Sequence, residues 1–238
     1  MTSNAHFKSL VDEATERYRD AGRYAWHFAK GKLGRDPVFH FLLEQGVLPR
    51  RGRLLDLGCG QGVLISLLQV ASQRLASGGW PADWPPPPDE LEMRGVELRA
   101  DRVKSARLAL GGEIMITQGD VRDVDLPPSS AIAILDVLLY LDTDEQRALL
   151  ERCARALEGG GVLLLREADA AGGAAFVVTH WAERIACWVR GQFKQRLLYR
   201  TGADWTALLT SLGFSVSVQP MSTGTPFSNV LFIATRAP

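Results

Sequence analysis

Between residues 53 and 167 the chain alternates short runs that are apolar throughout with longer segments whose apolar residues recur at helical spacing, and this alternation restricts the fold most. The short runs are RLLDLG (53–58), ELEMRGVE (90–97), EIMITQGD (113–120), AIAILDV (131–137) and GVLLLRE (161–167), and helical patterns fill 61–77, 100–110 and 143–157. A strand that is apolar on both faces needs cover on both, and strands joined through helices run parallel by right-handed crossovers. Near the C-terminus FSVSVQP (214–220) and NVLFIATR (229–236) are separated only by MSTGTPFS, too short for a crossover, so these two pair antiparallel. The expected fold is α/β: a doubly wound seven-stranded sheet, mostly parallel with an antiparallel last strand, and helices on both faces.

The flanks add helices. In an N-terminal arm (1–49), Phe7, Leu10, Val11, Ala14, Tyr18 and Ala21 fall on one face of a helix over 7–21, RYAWHFAKGKL reads as a second, and Asp36 can cap a third that starts at Pro37. The stretch SGGWPADWPPPPDE makes 78–90 a Pro-rich loop, exposed and extended or disordered, in which Trp80 and Trp84 act as anchors. A helical insertion (168–201) contains one long helix over about 173–200, and a further helix covers 202–212. With 238 residues and 46% hydrophobic content, one domain over 1–238 is expected. Lys plus Arg and Asp plus Glu stand at 27 each, so no global basic field favours nucleic acid, and a small-molecule partner is expected instead. The longest apolar run, 131–141, is too short to span a bilayer and carries Asp136, and the N-terminus lacks a secretory pattern. A cytoplasmic protein with no membrane partner is expected. The three cysteines have neither disulfide nor zinc spacing.

The functional signal is DLGCGQG, residues 56–62. Gly58, Gly60 and Gly62 let the backbone turn sharply and approach a ligand at the carboxyl end of the first strand, where a helix N-terminus also points. A dinucleotide fingerprint needs its third glycine one residue later, where Val63 stands. The spacing D-x-G-x-G-x-G resembles the class I S-adenosylmethionine-dependent methyltransferases, and the resemblance continues through residues 50–168. It implies S-adenosyl-L-methionine as cofactor. The glycine turn, with Asp56, Gly58, Cys59, Gly60 and Gly62, would lie against the amino-acid and sugar parts, and Glu97 with Leu98 would meet the ribose. Asp120 would take the adenine amine and the Val121 backbone a ring nitrogen, with Asp136 near the methionine end. Glu97 lies 35 residues after Gly62, not the usual ~20, and the Pro-rich loop supplies the surplus.

Methyl transfer from a sulfonium needs alignment above all, and a base only when the acceptor must lose a proton. The family draws substrate contacts from the arm, the fourth strand and the segment after the fifth. Here these offer Tyr24, His27, Phe28, Lys32, Tyr140, Trp181 and Arg184, with His180 as the candidate base because it titrates near neutrality. Trp181 and Trp188 share a helical face, read as pocket lining or core, and Arg184, Arg190, Lys194, Arg196 and Arg200 read as a solvated face. No metal is expected. The closing QPMSTGTPFSNVLFIATR resembles methyltransferases of bacterial secondary pathways, so the expected reaction is methylation of a small, partly aromatic metabolite. The alternatives are RNA methylation and a non-catalytic cofactor-binding subunit.

Overall fold

The computed structural model describes residues 3–238. Three helices, α1 (Ser3–Glu16), α2 (Arg23–Arg35) and α3 (Pro37–Glu44), precede the sheet. The remaining elements are β1 (Arg51–Leu57), α4 (Val63–Ala76), β2 (Glu90–Glu97), α5 (Ala100–Leu110), β3 (Met115–Gln118), β4 (Ser129–Leu135), α6 (Thr143–Ala156), β5 (Leu157–Ala168), α7 (Gly173–Val189), α8 (Gly202–Ser211), β6 (Phe214–Pro220) and β7 (Asn229–Arg236). The sheet order is β3-β2-β1-β4-β5-β7-β6, with the first five strands parallel and β7 antiparallel to both neighbours. Order reverses between β1 and β4, so the crevice at their carboxyl ends is where a ligand belongs.

The all-apolar strands serve two cores. Successive side chains alternate across a sheet: Leu54, Ala131, Ala133, Val162 and Leu164 pack with α1 to α4, whereas Leu55, Leu57, Ile132, Ile134, Leu163 and Leu165 pack with α6 and α8. The arm is fixed to the first core and to the glycine turn. Tyr18, fully buried, donates its hydroxyl to the Gln61 carbonyl at 2.9 Å, and Ser66 Oγ donates to the Ala14 carbonyl at 2.9 Å. As expected, Asp36 caps α3 by accepting from the Val38 N–H.

Three local expectations change. Helix α1 ends at Glu16, five residues early, because the chain turns through Tyr18 to Gly22 to start α2. The helix of the insertion ends at Val189. Gly191 takes φ +73° and donates to the Trp188 carbonyl, while Gln192 N–H donates to the Cys187 carbonyl. This pairing is a Schellman cap, which satisfies the last carbonyls and stops the helix. The Pro-rich segment is ordered against the arm and is not an exposed loop: Trp84 is only 6% exposed, its ring meets His6 and Trp80 edge-on, and Trp80 Nε1 donates to the Pro85 carbonyl at 3.0 Å. Pro87 and Pro88 are buried as well.

Candidate active site

The glycine turn is tied to the next strand. Gly58 and Cys59 N–H both donate to the Val96 carbonyl, at 2.8 and 2.9 Å, and Gly60 N–H donates to Glu97 Oε2 at 3.0 Å. Glu97 Oε1 accepts from the Arg99 N–H at 2.8 Å, so this carboxylate, 5% exposed, is held across the end of β2. All three glycines have positive φ, but their surroundings differ. A Cβ on Gly58 would lie 2.4 Å from Val137 Cγ2, whereas one on Gly60 would meet nothing within 4 Å. Gly58 therefore serves packing, and Gly60 faces open space that a ligand can enter. Gly62, outside the cavity lining, caps α4 in a left-handed conformation against Leu110.

Three cavities run in series from this turn. The first, about 350 Å³, is lined by Glu97, Leu98, Asp120, Val121 and Val137 among others. The second, about 250 Å³, is bounded by Asp56, Gly58, Cys59, Gly60 and Phe28. The third and largest, about 820 Å³, lies between α7, the start of α3 and the 223–227 turn. Gly58, Arg102, Asp136, Tyr140 and Arg190 line both the first and the second. Lys32, Asp136, Glu183 and Ala186 line both the second and the third. The three cavities adjoin one another through these shared wall residues and together make up a segmented channel.

The channel's charge is uneven. Asp56 and Glu97 are both buried, and among the described residues the cation facing Glu97 is Arg102, at 3.9 Å. Burial first, and then the charge of Glu97, push the Asp56 carboxyl up to about 7. Two adjacent carboxyls with so little neutralisation favour a cationic ligand. Asp120 differs: its oxygens accept from the Arg122 N–H, Nε and Nη2 at 2.9, 2.9 and 2.6 Å, and this bonding holds its carboxyl below the usual range. Arg122 continues to Glu145 at 2.6 Å, so Asp120 braces its own turn as well as lining the slot.

At the boundary between the second and third cavities a charge network forms the wall. Asp136, a non-glycine residue at φ +61°, is bonded by the nearly fully buried Arg166, which also pairs with Asp36. Lys32 Nζ lies 2.9 Å from both Asp36 and Asp136. Burial, and then the Arg166 charge, lower the Lys32 pKa to about 8. Beside it, Glu167 Oε1 accepts from Val137 and Leu138 N–H at 3.1 and 2.7 Å and fixes the segment after β4. Burial raises its carboxyl to about 8.

The third feature was missed by sequence reasoning. Glu183, half-buried on the inward face of α7, accepts from the Tyr140 hydroxyl at 3.0 Å and lies 3.7 Å from Arg190 Nη2. The signal was present: Glu183 is the single acid between Ala170 and Ala203. Of the substrate candidates, Phe28, Lys32 and Tyr140 line the channel. The others lie off its lining. Tyr24 is 76% exposed and stacks on Phe28 from outside, and His27 is exposed. His180 packs among Phe176, Trp181 and Tyr199, and Arg184 is exposed and donates to the Gln195 carbonyl. Trp181 and Trp188 are 62% and 66% exposed, so neither fills core nor lines a pocket. The reason is helical phase: Thr179, Ala182, Glu183 and Ala186 face inward, which turns His180, Trp181 and Arg184 away.

A family model described as a methyltransferase domain matches residues 25–218. Among curated proteins, the carboxy-S-adenosyl-L-methionine synthase of Chromohalobacter salexigens is 38% identical over 117 residues, 47% of this chain and 38% of that protein. The matches span less than half the length of these curated relatives. Among solved structures, an O-methyltransferase family protein from Burkholderia thailandensis superposes with TM-score 0.64 at 18% identity, over 90% of this chain and 59% of that one. Magnesium protoporphyrin IX methyltransferase from Synechocystis PCC 6803 with bound SAH gives TM-score 0.60 at 20% identity, over 93% and 94%. At these identities the structural likeness is one of fold. With its glycine turn, the acid at the end of β2 and a family match over most of its length, the chain belongs to the methyltransferase-domain family.

Proposed function

We propose that this enzyme methylates a small, partly aromatic metabolite of a bacterial-type secondary pathway, held in the 820 Å³ chamber, with Glu183 as the proton acceptor. The observation that carries this reading is the adjacency of the three cavities, with Glu183 on the wall shared by the second and the third. The chamber suits a drug-sized ligand. Pro37, Pro226 and Phe227 offer apolar contact for a ring, and Thr179, Thr225 and Asn229 offer polar contact.

The residues present fit the cofactor. Glu97 would accept from the ribose hydroxyls, open space over Gly60 would admit the chain that follows, and the weakly neutralised pair Asp56 and Glu97 favours a ligand bearing positive charge. When bound, S-adenosyl-L-methionine supplies an electrophilic methyl on a neutral leaving group. The protein aligns the acceptor and takes its proton. Tyr140 and Arg190 hold Glu183 in place and leave an oxygen able to accept. His180, outside the channel lining, is the weaker candidate for this role.

Two other acceptors are less well supported. RNA would be met by free cations at the slot, but Arg99, Arg102, Arg122 and Arg190 each face an acid within 4 Å. The curated relatives are named for making a carboxylated cofactor. A carboxylate held deep in the chamber would meet Lys32 and Arg166, which Asp36 and Asp136 already match; among the described residues Arg35, exposed on the lining, is the chamber cation without an acid within 4 Å.

The test supplies methyl-labelled cofactor together with either a panel of small hydroxylated aromatic compounds or total RNA. Label in the small-molecule panel is expected, and Glu183→Gln should lower turnover about 10²–10⁴-fold with S-adenosylhomocysteine affinity retained. Label in RNA alone, or full turnover in Glu183→Gln, contradicts the proposal.

A further inference from the structure

Among the described residues, nothing covers the outer face of α7. Val177, Trp181, Ile185, Trp188 and Val189 are between 55% and 72% exposed and follow one another at helical spacing, and Phe193 just beyond the helix is equally exposed. A soluble domain rarely leaves a ridge of this size uncovered. Its charge is as one-sided as its hydrophobicity. Arg184, Lys194 and Arg196 are exposed on the same segment, and among the described residues none of them pairs with an acid. Glu183, the single acid of the stretch, points inward to Tyr140.

We infer that α7 and the segment to Arg196 seat the enzyme on an anionic lipid surface. A helix with tryptophans and branched apolar residues on one side, and cations but no acids beside them, suits the boundary between headgroups and acyl chains. The alternative occupant, a second copy of the chain, requires the same patch to face itself. That arrangement sets Arg184, Lys194 and Arg196 against their own counterparts, and no acid of the segment is free to offset them. An exposed helix face also suits a deformable surface, which needs no preformed groove. The inward face of the same helix lines the acceptor chamber, so the lipid would lie about one helix diameter, ~10 Å, from it. The sequence alone pointed to a solvated basic face and no membrane partner; the exposure of both tryptophans changes that.

The test is sedimentation of the full chain with large vesicles, either pure phosphatidylcholine or an equal mixture with phosphatidylglycerol. Binding is expected to the mixed vesicles, with a blue shift of tryptophan emission, and should weaken in high salt. Lys194→Glu and Arg196→Glu should each weaken binding about fivefold or more, and the Trp181→Ser, Trp188→Ser double variant should abolish it. Calorimetry with S-adenosylhomocysteine on the same variants should be unchanged, which shows that they are folded and separates this test from that of the proposed reaction. Absence of binding to the mixed vesicles overturns the inference. So does equal binding by the double variant, or a dimer in sedimentation velocity that the double variant abolishes.

Discussion

Glu97 is the residue on which most of the cofactor reading converges. Its oxygens already accept from Gly60 and Arg99 N–H, each retains further acceptor capacity, and the residue lines the slot. Calorimetry of Glu97→Ala with S-adenosylhomocysteine should show a loss of roughly 1–3 kcal/mol, the scale of a removed hydrogen bond to a charged group, and an unchanged affinity would remove Glu97 from the ribose. Asp56 makes a separate prediction about pH. Asp56 and Glu167 have folded pKa values of about 7 and about 8, above the ordinary carboxyl. Their contribution to stability is full below that ordinary range, roughly pH 4, and is lost as pH rises through the folded values. His6, lowered from 6.5 by burial, acts in the opposite sense below 6.5, and Lys32, lowered to about 8, does so above 8. Between pH 6.5 and 8 the ligand-free protein should therefore melt at lower temperature as pH rises. Asp56→Asn should flatten that slope; a wild-type melting temperature that rises across the window contradicts the assignment.

Among elements, what could be read in advance depended on whether the signal was local. The seven strands, the N-terminal cap of α3 and the glycine turn follow from residues close together in sequence, so periodicity and spacing located them. Two segments were decided by distant contacts. Four consecutive prolines describe a loop, but nothing near residue 84 shows that His6 and His40, from α1 and α3, meet the Trp84 ring. Helix α7 is apolar on both faces, so its periodicity could not separate the chamber side from the outer side, and Glu183 passed unnoticed between the more conspicuous His180, Trp181 and Arg184. The two tryptophan environments give a paired stability test by denaturant unfolding. Trp84→Ala should cost about 3–5 kcal/mol, and deletion of residues 80–87 should be similarly damaging. Trp181→Ala should remain within about 0.5 kcal/mol of wild type. Equal, small effects would mean that the Pro-rich segment does not pack on the arm.

At the scale of the whole molecule, the sheet places its switch point under the glycine turn, the arm closes one side and the insertion closes the other. Tyr18 ties the arm to the turn, and Tyr140, Glu183 and Arg190 tie α7 to the end of β4. The central claim is that this closure creates one channel with a nucleoside end, a reacting centre and an acceptor end. A crystal structure with bound S-adenosylhomocysteine tests it most directly. The account predicts the ribose on Glu97, the adenine between Leu98 and Val121, and the sulfur facing the boundary marked by Lys32, Asp136, Glu183 and Ala186, with the acceptor chamber open beyond it. A ligand lying outside the glycine turn, or a sulfur directed away from Glu183 toward bulk solvent, would contradict it.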